Sequence, residues 1–322
     1  RTKLQVFRLF PSFTGGFVLP WLYKMTLSDC FAHETLATAV NGVRYVGLGV
    51  ALVTLLFALP AAFFTKERFA DQKQEKIRIL PALKYTFSDI PYLRILVYTF
   101  MVFLGLFFVN PLLNYINIFY INGGDKELAS HIGGWVGTAS ALCSLVALFV
   151  VTKLAPRVDK KVIIFISLTV AAIGYASSWF CFTPANPWLM AVPLIISQVG
   201  LCGCWVIGGS ICADVCDYDE LKTGKRREGM YSAVGGFVYK ATLALVAVLS
   251  GAILVWAGVK EGEVTELSME IINKLRIMYV AVPVIAFGLG IWVMVNYPLT
   301  KKKMLDIQRQ LEEKRGIPEV GE

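Results

Sequence analysis

Charge is scarce in this sequence. Only 17% of its 322 residues are Asp, Glu, Lys or Arg, against 56% hydrophobic. One soluble core cannot hide so much apolar side chain, so two soluble domains and a disordered tail are excluded. Histidine is rarer still, with His33 and His131 the only two. The seven cysteines contain no C-x-x-C pair, and Cys202, Cys204, Cys212 and Cys216 have no histidine near them, so a zinc site is excluded. All but Cys30 lie in or beside apolar runs, which marks them as small packing residues rather than a disulfide scaffold. The chain begins at Arg1 without Met or signal peptide and reads as a piece of a longer protein. In so apolar a chain a net charge of +8 speaks for membrane topology, not for binding nucleic acid.

What is present is long hydrophobic segments. A bilayer core of roughly 30 Å needs about 20 helical residues. Tyr45 to Phe64, Ile95 to Asp125, Ile132 to Thr152, Val162 to Ala213 and Ile277 to Thr300 have no charged residue in their interiors. The run from Val162 to Ala213 is long enough for two passes, and Thr183-Pro184-Ala185-Asn186-Pro187 near its middle is a turn. Leu4 to Tyr23 with Arg8, and Met230 to Val259 with Lys240, add two passes that each carry one charge. The expected architecture is an all-α membrane protein with eight transmembrane helices.

Eight passes return both ends to one side of the membrane. Lys and Arg concentrate in the loops of that side, at 1–8, 66–84, 153–161, 222–227 and 301–315. The other side holds only Lys24, Arg44, Lys126, Lys260, Lys274 and Arg276, which makes the basic side cytoplasmic. Two helices (1–64) precede a charged cytoplasmic linker (65–93). Six more (94–300) and a cytoplasmic tail (301–322) follow, an arrangement that suits the second half of a two-bundle transporter.

Polar residues inside these passes mark candidate sites. A helix starting near Gly229 carries Lys240 to roughly 16 Å depth, close to the midplane, where a charge costs about 2.5–3.5 kcal/mol. It needs a counter-charge, a water-filled cavity or a ligand. Asn110, Asn114 and Asn117 recur at i, i+4 and i+7 beside Pro111, a stripe that suits the hydroxyls of a sugar and equally suits interhelical hydrogen bonding. Gln198 and Trp205 share one face, and an indole packs on a sugar ring as well as it faces lipid. Gly133, Gly137 and Ala141 form a small-residue stripe for close packing, and Pro11, Gly15, Gly16 and Pro20 would loosen the first helix. From Asp214 to Glu228 the chain packs acids and then bases into one turn at the membrane face, either a solvated loop or an ion-paired gate.

That turn carries a resemblance. Asp214 to Lys240, opening A-D-V-C-D-Y-D-E-L-K-T-G-K-R-R-E-G, with Trp205 nine residues before Asp214 and Lys240 twelve after Glu228, resembles the glycoside-pentoside-hexuronide:cation symporters. These are the melibiose-permease-like branch of the major facilitator superfamily. The resemblance implies a helical bundle of that superfamily, the chain corresponding to helices five to twelve of twelve. It implies that Arg8, Trp205 and Lys240 line the sugar site and that Asp214, Asp217, Arg226, Arg227 and Glu228 belong to a cytoplasmic gate. Where some melibiose permeases carry polar residues, five and four positions before Lys240, this chain has Gly235 and Gly236, so the sugar is not named. The carboxylates such symporters use for the cation are expected before Arg1.

The expected function is therefore sugar symport with Na⁺ or H⁺ by alternating access, in the inner membrane, by a monomer without cofactor, metal or nucleic-acid partner. The substrate-facing residues are Arg8, Asn110, Asn114, Asn117, Gln198, Trp205 and Lys240. Two other readings stand beside it. One is a prenyltransferase-like enzyme holding Mg²⁺-diphosphate on Asp214, Asp217 and Asp219. The other is a non-transporting sugar sensor of the same fold.

Overall fold

The computed structural model describes residues 15–27, 29–31, 38–64, 89–224, 227–259 and 267–314. Their regular structure is helical: α1 (Leu19–Thr26), α2 (Thr38–Phe64), α3 (Ile90–Tyr115), α4 (Lys126–Leu154), α5 (Lys160–Cys181), α6 (Ala191–Thr223), α7 (Glu228–Ala257), α8 (Met269–Val295) and α9 (Lys301–Lys314). Among the described residues seven helices, α2 to α8, are long and apolar enough to cross a membrane. The expected first pass, Leu4 to Tyr23, lies mostly outside the described residues, and α1 is its far end. There Gly16 to Val18 form a turn before α1 begins with Pro20 in its first turn, where a missing N–H is no loss.

Short polar signals set the helix ends. The long apolar run breaks after Cys181, and the Asn186 side chain accepts from Trp188 N–H at 3.2 Å to start the short 3₁₀ turn that leads into α6. Asp125 caps α4 through Leu128 N–H at 2.9 Å. Gly224, at φ 69°, closes α6 in the left-handed conformation that favours glycine. Beyond Pro111 the end of α3 passes into a π turn, Ile116–Ile121, where Asn122 N–H bonds the Asn117 carbonyl five residues back at 3.1 Å.

Packing within the bundle follows residue size. Helices α5 and α6 pack backbone to backbone: a Cβ added at Gly200 would lie 2.5 Å from Ala171 N and one at Gly174 the same distance from Ser197 N. Tyr175 and Phe182 of α5 and its end pack against Tyr279 and Phe287 of α8, and Phe287 rests on Gly105 of α3. Helix α7 joins α3 where the Tyr92 hydroxyl donates to the Tyr231 carbonyl at 2.5 Å, their rings 4.6 Å apart. Helix α1 lies on α4 with Pro20 over Gly137, and the Trp21 indole donates to Thr138 Oγ1 at 2.8 Å. The small-residue stripe thus packs at Gly137, and Gly133, Gly137 and Ala141 all line one cavity.

The outer surface is apolar, as lipid requires: Leu52, Leu56, Phe57 and Phe63 of α2 and Val248 and Val255 of α7 are exposed. Helix α9 is amphipathic. It buries Met304, Ile307 and Leu311 against the end of α6, and Lys301 anchors it, its backbone N–H donating to Asp159 at 2.7 Å and its ammonium to the Pro156 carbonyl at 2.6 Å.

Candidate functional site

A cavity of about 860 Å³ lies between α1, α3, α4 and α6. Its walls include Tyr23, Asn114, Asn117, Ser140, Gln198 and Trp205. Four of the residues singled out in the sequence, Asn114, Asn117, Gln198 and Trp205, therefore face one space. The side chain of neither Asn114 nor Gln198 hydrogen-bonds a described residue, which leaves both carboxamides open to a ligand. Asn117 is partly committed to the fold: its Nδ2 donates to the Ala129 carbonyl at 3.1 Å, and its Oδ1 accepts from Asn122 at 2.9 Å. That ties the π turn to α4. Asn110 is exposed and is not among the lining residues, because the stripe of three asparagines spans more of the helix than the cavity does.

A second cavity, about 440 Å³, lies between α3, α6 and α7. Tyr92, Thr99, Phe103, Trp205, Gly236 and Tyr239 are among its walls. Trp205 faces both cavities and packs on Phe103 at 5.4 Å, and Phe103 meets Tyr239 edge-on at 4.7 Å. Lys240 lines neither cavity. It is exposed in the middle of α7, one residue past Tyr239 and one helical turn past Gly236. Arg8 lies outside the described residues.

The acids and bases of the turn are paired across helices. Lys160 at the start of α5 meets Asp214 of α6 at 2.5 Å, with Asp214 nearly buried. Arg227 clasps the buried Asp219 with two hydrogen bonds, Nε to Oδ2 at 3.0 Å and Nη2 to Oδ1 at 2.8 Å, joining α7 to α6 across Gly224. Asp217 is buried and Glu228 exposed, while Arg226 lies outside the described residues. Asp89, just before α3, completes the group: burial and then the Asp219 carboxylate push it above its ordinary value, opposed by Lys222 and Arg227. Lys160, Asp219 as the partner of Arg227, and Asp89 were not singled out in the sequence. Charge complementarity between the 153–161 loop and the acids of α6 was the available signal for Lys160.

A family model described as MFS/sugar transport protein matches residues 1–301. An uncharacterized symporter of Synechocystis sp. is 30% identical over 244 residues, 74% of this chain and 43% of that protein. The isoprimeverose transporter of Lactiplantibacillus pentosus is 26% identical over 324 residues, 98% of this chain and 65% of the relative. An uncharacterized symporter of Bacillus subtilis is 26% identical over 310 residues, 94% and 63% of the two chains. The chain thus spans between 43% and 65% of the lengths of these curated relatives.

Proposed function

The chain belongs to the MFS/sugar transport protein family, and from that premise we propose that the protein is a secondary transporter carrying a glycoside, pentoside or hexuronide together with Na⁺ or H⁺ by alternating access. Its family and relatives are transporters and not enzymes, so the diphosphate-binding reading of the Asp-rich turn is set aside. Asp214 and Asp219 face Lys160 and Arg227, an environment in which a diphosphate would compete with carboxylates for the same cations. The cation is a co-substrate and not a resident cofactor.

The observation that carries this reading is the convergence of Asn114, Asn117, Gln198 and Trp205 on one cavity of about 860 Å³. Amides that both donate and accept match sugar hydroxyls, and an indole covers the apolar face of a sugar ring. A relative named as an isoprimeverose transporter fits a sugar substrate. Arg8, Asn110 and Lys240 are assigned to the path of the sugar or the cation from the sequence and the family resemblance. Lys160–Asp214 and Arg227–Asp219, with Asp217, Arg226 and Glu228, act as the cytoplasmic gate, breaking when that side opens. In this reading the domains are 1–64, 65–93, 94–300 and 301–322, both ends are cytoplasmic, and a monomer works in the inner membrane.

The test is uptake by the native protein in proteoliposomes with labelled galactosides, xylosides and glucuronides. Gradient-driven accumulation that collapses when Na⁺ and H⁺ gradients are dissipated is expected, and Lys240→Ala should abolish it without removing the protein from the membrane. Accumulation that survives loss of both gradients would overturn symport. Normal coupled uptake by the Lys240 variant would remove that residue from the path.

A further inference from the structure

Two cysteines of α6 have no part in the function proposed above. Cys212 and Cys216 are one helical turn apart, so their side chains leave the same face of the helix. Their thiols are close enough to interact directly. The other five cysteines make no such pair. Cys202 and Cys204, two residues apart, lie on opposite sides of α6. Cys30, Cys143 and Cys181 lie on other segments, one to each.

The surroundings restrict what the pair can bind. Cys212 is partly exposed and borders open space between α6 and α7, which gives a small molecule a way in, while Cys216 is buried. Glu228 acts electrostatically on both sulfurs and Asp217 on Cys216, so an anionic reagent is repelled. Among the described residues no third histidine, cysteine or carboxylate joins them to complete a metal site. Two sulfurs in contact subtend a narrow angle at any atom they share. That angle suits pyramidal trivalent arsenic, which is soft and is neutral as its hydroxide, and does not suit the straight S–Hg–S bonding of mercury. Cys212 and Cys216 lie about 16 and 10 Å before the end of α6. In the proposed topology that is the cytoplasmic half of the membrane, on the side where thiols stay reduced.

We infer that Cys212 and Cys216 form a dithiol site for trivalent arsenic, taken up as arsenite or as a monosubstituted arsenous acid. Each thiol gives its proton to one arsenic-bound hydroxyl, which leaves as water. Two As–O bonds break, two As–S bonds form, and nothing is oxidised or reduced. The product is a covalent bridge across one turn of α6. Asp214 lies inside that turn and Asp219 just beyond it, so the bridge holds fixed the segment that presents carboxylates to Lys160 and Arg227. Occupancy stops the gate from moving and so stops transport. That effect rests on the sugar-transport reading, whereas the binding itself does not.

Intact-mass measurement of the native protein, incubated with phenylarsine oxide and a phosphine reductant, tests the site. One adduct is expected, of the mass of the reagent less one water, released by dimercaptopropanol and not by an equal amount of mercaptoethanol. Cys212→Ser and Cys216→Ser should each lose it, and Cys202→Ser should keep it. A rise in the melting temperature of the unsubstituted protein on adding the reagent reads the same site should a serine variant not accumulate. In proteoliposomes the reagent should abolish coupled uptake, dimercaptopropanol should restore it, and Cys212→Ser should transport in the reagent's presence. No adduct, or an adduct that both serine variants retain, overturns the site. An adduct that leaves uptake undiminished overturns its hold on the gate. An adduct on a protein that accumulates no glycoside supports the site and removes the sugar-transport reading instead.

Discussion

Helix α6 has two seams, and they are built on opposite principles. Toward α5, small residues let backbones meet: Gly174, Gly200 and Gly203 are each filled by a neighbour from the facing helix, and Lys160–Asp214 closes the end. Toward α7, Gly208 and Gly236 face open space and Gly235 meets only the Tyr92 hydroxyl, and the helices are held together at their ends by Arg227–Asp219, with α7 tied to α3 by the Tyr92–Tyr231 contact. Glycine therefore has two meanings in one bundle. Close packing gains dispersion along the whole seam and makes it rigid, whereas an open seam pinned at one end leaves room for a ligand and for movement.

If the open seam depends on its end, the largest effect comes from breaking that end. Arg227→Ala leaves the buried Asp219 carboxylate without its bidentate partner and should cost about 3–5 kcal/mol, read as a fall in thermal stability in detergent. Adding Asp219→Asn should restore part of it. Lys160→Ala should cost less, because its seam is held by packing along its length and its side chain is 28% exposed. Equal losses at the two ends would break the comparison.

Next comes the glycine pair. Gly200→Leu forces a side chain into the backbone of α5 and should cost about 3 kcal/mol or more. Gly236→Leu should cost less than about 1 kcal/mol of stability, since it fills space and improves helix propensity. Similar melting shifts for both would mean that the two seams pack alike. In the larger cavity, Asn114→Ala should weaken sugar binding about tenfold, the net worth of about one hydrogen bond, with no change in melting temperature. Unchanged titration isotherms would take Asn114 out of the sugar site.

The smallest effect lies at Asp89. Its folded-state value is raised, so the fold favours the protonated carboxyl, and stability is lost as pH rises through that raised value. Asp89→Asn should therefore melt slightly higher than the parent at neutral pH, and the difference should vanish below the ordinary value of 3.8. A variant that melts lower than the parent at neutral pH would assign Asp89 a net attraction to Lys222 and Arg227 instead.

The helices were legible because a bilayer span imposes a length over which charge is excluded, and this chain obeys it from Tyr45 to Phe64 and from Ile277 to Thr300. The family was legible in the spacing of Trp205, the acid–base turn and Lys240, and the family match and the symporters and transporter among its relatives bear that out. Pairing was not legible. Arg227 reaches Asp219 only because Gly224 reverses the chain, and Asp214 finds Lys160, which is 54 residues distant in sequence. The second cavity left no mark in the sequence either, since Gly203 and Gly208 on α6 look alike until the facing helix is in place.

One feature of α3 has a bearing on mutagenesis. A π turn contains one residue more than an α turn needs, so Ile116–Ile121 amounts to a single-residue insertion that the fold has absorbed. Deleting one residue there would let α3 run on as regular helix, rotating everything after the deletion by about 100°. Asn122 would swing away from Asn117, and Tyr120 would leave the guanidinium of Arg276, now 4.6 Å from its ring. Reading frame along the helix, as well as residue identity, holds the far end of the bundle together, and a deletion scan would detect it where an alanine scan would not.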